Sequence, residues 1–103
     1  MYAMCGRLFA RPGKRDEFIQ VLLRAADMVG QLPECHMYLV TKDTKDENAI
    51  SVIEIWDSKE AHDASLQNEE TREMIRGAMS LMGDPPESIE MDVVGGYGLD
   101  ELE

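Results

Sequence analysis

The chain has little cysteine, few aromatic residues, a shortage of positive charge and no long hydrophobic run. Two cysteines in 103 residues are too few for a disulfide-built scaffold. The sequence has neither a C-x-x-C nor an H-x-x-x-H pattern, so we expect no metal site of the structural zinc type. Ten Lys and Arg stand against 21 Asp and Glu, and the net charge of −11 opposes binding to nucleic acid or to an anionic membrane surface. No apolar run approaches the ~20 residues that a bilayer span needs.

What the chain does have is a hydrophobic fraction of 44%, enough for a packed core and too much for a disordered segment. Its length suits a single domain over residues 1–103, with a core at about 2–95 and a C-terminal tail at 96–103. The first residues, Met1 to Arg7, show no basic segment followed by an apolar one. We therefore expect a soluble, cytoplasmic protein.

Hydrophobic periodicity and turn signals divide the chain into strands and helices. Apolar residues recur at helical spacing after the Arg11–Gly13 turn and again before Gly83. The pattern predicts strands at 2–10, 35–41, 49–56 and 88–94, a helix at 14–29, and a second helical stretch that starts at Asp57 or Ser58 and breaks near Asn68. The order β-α-β-β-α-β is that of a ferredoxin-like α+β fold, an antiparallel sheet for which we expect the strand order 4-1-3-2 and helices on one face.

The predicted strands are apolar on both sides. In the third strand Ile53 and Ile55 face one way, while Val52 and Trp56 face the other. Helices shield only one of these faces, and a large exposed apolar patch is uncommon on a soluble monomer. We therefore expect a homodimer in which two sheets pack together as a dimeric α/β barrel, with a pocket in each subunit between sheet and helices or near the interface.

Glu54 stands out because strand alternation places it on the same face as Val52 and Trp56. A carboxylate among apolar side chains loses hydration, which raises its pKa and makes it a candidate proton acceptor. The alternative is structural, with Glu54 paired to an arginine of this chain or of a partner subunit.

The segment Glu54–His62 (EIWDSKEAH) resembles the antibiotic biosynthesis monooxygenase family, and within it the quinol monooxygenase branch. The resemblance extends over nearly the whole chain, through Arg7-Leu8, Arg11–Lys14, Leu32–Cys35 and Val94–Leu99. It implies a dimeric ferredoxin-like barrel. It also implies an enzyme that oxidises a small electron-rich aromatic, such as a hydroquinone or polyphenol-like compound, with O₂ and without flavin, haem or metal. No G-x-G-x-x-G fingerprint of a nucleotide cofactor occurs in the sequence, and we expect no cofactor.

Oxidation without a cofactor is chemically reasonable for an ionisable aromatic, because its anion passes an electron to O₂ unaided. The protein then supplies a dry pocket, a proton acceptor and a hydrogen-bond donor for the oxyanion. We expect His62 or Glu54 to accept the proton. Tyr38 is the candidate donor to a substrate oxygen, and Trp56, the only tryptophan, is a candidate pocket wall that stacks on the ring.

Each of these residues also has a structural interpretation. Trp56 would simply bury area in a core or interface, and His62, near a helix start, would be exposed to solvent. Tyr38 would pack in the core or the dimer seam. Met74 and the other methionines of the last helix have core spacing and would form a flexible apolar cavity wall. His36, on an edge strand, is expected to have a surface or structural role.

Two other functions remain open from the sequence. A sister branch of the family degrades haem with an Asn on the first strand, a Trp on the third and a His about ten residues later. Trp56 fits, but the first strand has no Asn and Leu66 occupies the place of that His. The second alternative is a dimeric small-molecule-binding or stress-associated protein without turnover, because one fold supports many functions.

Overall fold

The computed structural model describes residues 1–98, and Leu99 of the predicted tail lies outside the described residues. One antiparallel sheet carries the helices in a single layer, and its strand order β2-β3-β1-β4 confirms the expected 4-1-3-2 arrangement. The ferredoxin-like α+β fold is therefore confirmed. The elements are β1 (Tyr2–Phe9), α1 (Arg15–Val29), β2 (Cys35–Lys42), β3 (Ala49–Trp56), α2 (Lys59–Ser65), α3 (Glu69–Ala78), a 3₁₀ turn (Met79–Leu81) and β4 (Glu87–Asp92).

Side-chain caps set the limits of the two short helices. The Ser58 hydroxyl accepts a hydrogen bond from the Ala61 backbone N–H at 3.1 Å, so Ser58 rather than Asp57 begins α2. The Asn68 side chain accepts hydrogen bonds from the backbone N–H groups of the first turn of α3. The predicted break near Asn68 is therefore confirmed, and its cause is a cap that starts a new helix in a new direction.

The elements differ from prediction mainly at their ends. The last helix gives way to the 3₁₀ turn after Ala78, and Met82 is already extended, forming an isolated bridge with Ala10. The Gly83 N–H donates to the Phe9 carbonyl at 2.7 Å, so this segment continues the sheet edge beyond β1. The last helix therefore ends at Ala78, earlier than the methionine spacing predicted, because Met82 and Gly83 form backbone contacts with the end of β1.

The two faces of the sheet are distinct in burial. On the helix-facing side of β3, Ile50 and Trp56 are fully buried and Val52 is 3% exposed. On the other side Leu39 of β2 is 47% exposed and Ile89 of β4 is 64% exposed. We call this second side the open face. Strand register puts on it the apolar residues Ala3, Cys5, Phe9, Met37, Leu39, Ile53, Ile55, Ile89 and Met91, together with polar residues at one end of the sheet, Arg7, Thr41, Ser51 and Glu87.

The core lies between the sheet and the helices in two adjoining clusters. The larger cluster includes Phe18 and Leu22 of α1 packed on Ile50 and Val52, and burial of each such side chain stabilises the fold by about 1.5–3 kcal/mol. The smaller one joins Tyr2, Val29 and Trp56. These clusters hold α1 and α2 over the middle of β3, where Glu54 lies. In residues 1–98 no helix has the length and apolarity of a membrane span.

Candidate functional site

A cavity of about 210 Å³ lies between the helix-facing side of the sheet and the helices above it. Its wall is mostly apolar and includes Phe18, Leu22, Met28, Met74 and Ile75. The polar side chains on the wall come together from four elements, β2, β3, α2 and α3: Tyr38, Glu54, His62, Ser65 and Thr71. The cavity therefore combines an apolar body with one polar region, the usual arrangement of a small-molecule site.

Glu54 occupies the centre of this polar region. Its side chain is 9% exposed, and register places it between Met4 of β1 and Tyr38 of β2. The Trp56 indole N–H donates a hydrogen bond to Glu54 Oε1 at 3.0 Å, which is possible because residues two apart on a strand share a face. The hydrogen bond fixes one carboxylate oxygen and leaves the group oriented toward the helices.

His62 approaches Glu54 from α2. Its Nε2 lies 3.8 Å from Glu54 Oε1, and its Nδ1 lies 3.0 Å from Asp63 Oδ1. The ring packs between Tyr2 and Trp56, with centroid separations of 5.6 and 5.8 Å. His62 is thus a buried residue on the cavity wall rather than an exposed one near a helix start.

The electrostatics of the site follow from burial. Desolvation raises the pKa of the Glu54 carboxyl, while the Trp56 hydrogen bond and the nearby His62 oppose that rise. Burial and the neighbouring Glu54 charge also raise the pKa of the Tyr38 phenol. Tyr38 consequently stays protonated at neutral pH, and Glu54 and His62 place two further ionisable groups on the cavity wall.

Four of the five predicted site residues line the cavity and one does not. Tyr38, Glu54, His62 and Met74 all contribute to the wall. Trp56 does not reach it, so the expectation of a stacking wall needs correction. The indole is fully buried beside Val29 and Tyr2, where it packs as a core residue, and it contacts the site through its hydrogen bond to Glu54 and through the His62 ring.

The contacts of the other predicted residues are also clear. Within residues 1–98 the polar partners of Glu54 are Trp56 and His62, so the alternative of an arginine partner from the same chain is wrong. His36 hydrogen-bonds Asp57 at the end of the sheet, away from the cavity wall. Cys5 and Cys35 lie on strands that β3 separates, and both thiols are free.

Sequence reasoning missed two members of the site. Asp63 contacts His62, and the adjacency of an acid and a candidate base in the sequence was a usable signal. Tyr2 packs on the His62 ring, and no local pattern in the sequence predicts that contact. In the part of the chain that the structure describes, no three His, Cys, Asp or Glu side chains are grouped in a way that would hold a metal ion.

The cavity approaches the surface between the end of α1 and the α2–α3 break. A shallower surface groove shares Met28, Ser65 and Thr71 with the cavity wall. The groove also includes Glu34 and Glu60, whose carboxylates give this side of the molecule a negative charge. A small neutral molecule would pass this rim more readily than an anion.

The fold is that of a ferredoxin-like α+β protein, with a cavity between its sheet and its helices. The sequence profile of the antibiotic biosynthesis monooxygenase family matches residues 1–77, and the chain belongs to this family. The crystal structure of a candidate antibiotic biosynthesis monooxygenase from Chloroflexus aurantiacus J-10-fl is 37% identical, covers 95% of this chain and 97% of its own, and superposes with a TM-score of 0.85.

More distant structures share the fold. A candidate antibiotic biosynthesis monooxygenase from Deinococcus radiodurans is 20% identical, with 96% of this chain and 98% of its own covered and a TM-score of 0.83. One from Caulobacter crescentus CB15 is 23% identical, with 91% and 90% covered and a TM-score of 0.85. A comparison with curated proteins found no match. Family membership thus indicates monooxygenase chemistry in general.

Proposed function

We propose that this protein is a cofactor-independent monooxygenase that oxidises a single-ring hydroquinone or similar electron-rich phenol with O₂. The observation that carries the proposal is the Glu54–His62 pair, buried at one end of an otherwise apolar cavity. A buried pair that exchanges a proton is what converts a phenol to the phenolate that O₂ attacks. Family membership supports the oxygen chemistry, and the cavity supports the substrate.

The size of the cavity favours one ring. An engineered apolar cavity of ~150 Å³ holds benzene, whereas drug-sized ligands occupy pockets of ~300–1,000 Å³. A cavity of about 210 Å³ therefore suits one ring with its hydroxyl groups. Haem, with four pyrrole rings, is far larger, so haem degradation is disfavoured on volume as well as on the absent first-strand Asn.

The reaction balances without another reductant. Hydroquinone and O₂ give hydroxybenzoquinone and water: the ring loses four electrons, one oxygen atom joins a ring carbon, and the other leaves as water. Glu54 or His62 first accepts the proton of a ring hydroxyl, and the phenolate then reduces O₂. The same pair returns a proton to the distal oxygen of the ring-bound peroxide. The O–O bond then breaks as the oxygenated ring carbon loses its hydrogen as a proton, and this proton leaves with the distal oxygen as water. The new carbonyl tautomerises to the hydroxyl of hydroxybenzoquinone.

Tyr38 orients the substrate ring. Tyr38 lines the cavity, its Cα lies opposite that of Glu54 in the strand register, and its raised pKa keeps the phenol protonated. Its hydroxyl donates a hydrogen bond to the developing oxyanion of the substrate. Met74 and the apolar wall exclude water, which strengthens these interactions.

A homodimer is part of the proposal. The open face carries large exposed side chains in adjacent strands, among them Leu39, Ile89 and Met91. A second copy of the chain that brings the same face covers it by two-fold symmetry. The two sheets then form the closed barrel, and each cavity stays within its own subunit between sheet and helices.

Oxygen uptake with hydroquinone tests the proposed activity. We expect wild type to consume O₂ and Glu54→Gln and His62→Gln to lose about 10²-fold or more in kcat. Tyr38→Phe should lose about tenfold. The matched control is His36→Gln, which alters the other histidine, outside the cavity, and should behave as wild type.

Labelled oxygen separates the alternatives. With ¹⁸O₂ a monooxygenase gives hydroxybenzoquinone with one labelled atom, whereas unlabelled benzoquinone with hydrogen peroxide would contradict the proposal. Binding of hydroquinone without O₂ uptake would identify a non-catalytic binding protein. A Soret shift on titration with haem, with haem loss under reducing conditions, would favour the haem-degrading alternative.

A further inference from the structure

Three polar side chains follow one another from the cavity to the surface, with His62 in the middle. Glu54 and His62 are each 9% exposed, whereas the next group, Asp63, is 53% exposed. The atoms follow in order: Glu54 Oε1, His62 Nε2 at 3.8 Å, and on the other side of the imidazole ring Nδ1, with Asp63 Oδ1 at 3.0 Å. The imidazole thus connects a buried carboxylate with one in contact with water.

We propose that Glu54, His62 and Asp63 form a proton relay between the cavity and solvent, with Asp63 as its outlet. The inference rests on the proposed oxidation. The hydroxyl of hydroxybenzoquinone is a vinylogous carboxylic acid, so the product leaves as an anion, and each turnover yields one proton that must reach solvent. Asp63 is a positioning residue in this scheme because it does not line the cavity.

Two other polar residues of the cavity wall, Ser65 and Tyr38, are poorly suited to carry a proton to solvent. The Ser65 hydroxyl is committed to the His62 backbone carbonyl, to which it donates at 2.6 Å. Tyr38 holds its proton because burial and the charge of Glu54 raise its pKa. The imidazole, by contrast, has two nitrogens that face opposite sides, so it accepts a proton on one and releases one from the other.

The geometry sets the direction of transfer. Donation from His62 Nδ1–H to the Asp63 carboxylate leaves the Nε2 lone pair directed at Glu54. The separation of 3.8 Å exceeds the ~2.9–3.0 Å of an N–H···O hydrogen bond, so rotation of the Glu54 carboxyl must close it before the proton passes.

Several other ionisable groups surround this line. Tyr2 of β1 packs on the His62 ring, and Lys59 of α2 lies 3.8 Å from Asp63 Oδ2. Lys59 also contacts Glu90 of β4 at 3.4 Å. The Lys59 contacts are exposed and therefore weak, and the ammonium group of Lys59 lies on the solvent side of the Asp63 carboxylate.

The test compares Asp63→Asn with a control at the other histidine. Asp57→Asn is a matched control. Asp57 is exposed and forms a hydrogen bond with His36, just as the exposed Asp63 forms one with His62. With only two histidines in the chain, their ring resonances can be followed separately by NMR. We expect Asp63→Asn to change the chemical shifts of the His62 ring, because it alters the hydrogen bond at Nδ1, and Asp57→Asn to change only those of His36.

Turnover of hydroquinone supplies the second measurement. Asp63→Asn should lower kcat by about tenfold or more with KM unchanged, out of the ~10²–10⁴-fold that positioned proton transfer contributes. Imidazole added to the buffer should restore part of this kcat, because a diffusible base replaces the outlet. A purely structural role for Asp63 would not respond to imidazole. Asp57→Asn should keep the wild-type kcat.

The outcomes distinguish the relay from the function on which it rests. An active wild type with an equally active Asp63→Asn overturns the relay alone, even if the His62 ring signals change. A loss of kcat that imidazole does not restore also overturns it. A wild type that oxidises no phenol overturns the proposed function, and the relay with it. Loss of kcat, rescue by imidazole and changed His62 ring signals together support the relay.

Discussion

The indole N–H of Trp56 donates to Glu54 Oε1 at 3.0 Å, and this is the closest polar contact that Glu54 makes in the described chain. The bond supports the ionised form of the carboxyl, because an N–H donor stabilises negative charge. It acts against the desolvation that raises the pKa of Glu54. Trp56 therefore influences the site from the core on the same side of the sheet, through the charge state of Glu54.

Replacing Trp56 with Phe tests this influence. The change keeps an aromatic ring in the core but removes the donor, so the pKa of Glu54 should rise further. We expect the acidic limb of the pH profile of kcat for hydroquinone oxidation to move to higher pH, since Glu54 must lose its proton to act as a base. Tyr2→Phe, which alters the same cluster without touching this hydrogen bond, is the control. An unshifted limb in Trp56→Phe would contradict the assignment.

Glu54→Gln should stabilise the fold in a pH-dependent way. Below the ordinary Glu pKa of 4.5 the carboxyl is protonated, and therefore uncharged, in both the folded and the unfolded chain. No charge is then buried, and wild type loses no stability from this group. As pH rises, the unfolded chain loses this proton first because the folded pKa is raised, so wild type loses stability until pH passes the folded pKa.

Urea unfolding at several pH values measures this difference. We expect the free energy of unfolding of Glu54→Gln to exceed that of wild type increasingly from pH 4.5 upward and then to level off. Glu47→Gln removes an exposed carboxyl in the β2–β3 loop and should show no such growth. A constant difference across the range would mean that burial does not disfavour the Glu54 charge.

A charge on the open face should separate the proposed dimer. Leu39→Asp places a carboxylate where the sheets are proposed to meet, and burying an unpaired charge there costs several kcal/mol. Light scattering at micromolar concentration should show a dimer for wild type and a monomer for the variant. Leu23→Asp is matched in exposure, 42% against 47%, but lies on α1, and it should remain dimeric. A monomeric wild type would remove the barrel from the proposal.

Met74 should limit the size of the substrate. It lies on the cavity wall, so Met74→Ala enlarges the space available to a ring. We expect kcat/KM for naphthohydroquinone relative to hydroquinone to rise about tenfold, the scale that pocket contacts of this size control. Met79→Ala changes a methionine that is 62% exposed and absent from the wall, and it should leave the ratio unchanged. An unchanged ratio in Met74→Ala would place the substrate elsewhere.

The patterns that predicted the fold are local. Alternation along 49–56 put Glu54 beside Val52 and Trp56 on one face, and the structure confirms that this is the face under the helices. The same argument showed that Ile53 and Ile55 face the other way, since side chains on a strand repeat every two residues. The Asn68 break was readable because its cap lies within the same turn of chain.

The contacts that make the site depend on distances across the molecule. Whether His62 reaches Glu54 depends on how α2 packs over β3, and its burial beside Tyr2 depends on the β1–β3 register. The sequence placed Trp56 on the correct face but did not show where its indole lies, because the ring is buried completely by contacts with Val29 of α1 and Tyr2 of β1.

The sequence by itself determined the order of the elements, the two apolar sides of the sheet and the position of Glu54 on the buried one, because periods of two and 3.6 residues decide which side chains share a face. Only the tertiary structure decided that His62 lies beside Glu54, that its ring also contacts the exposed Asp63, and that the buried Trp56 donates a hydrogen bond to the Glu54 carboxylate. Those contacts join separate elements or depend on what covers each side chain, and packing of the whole chain sets both.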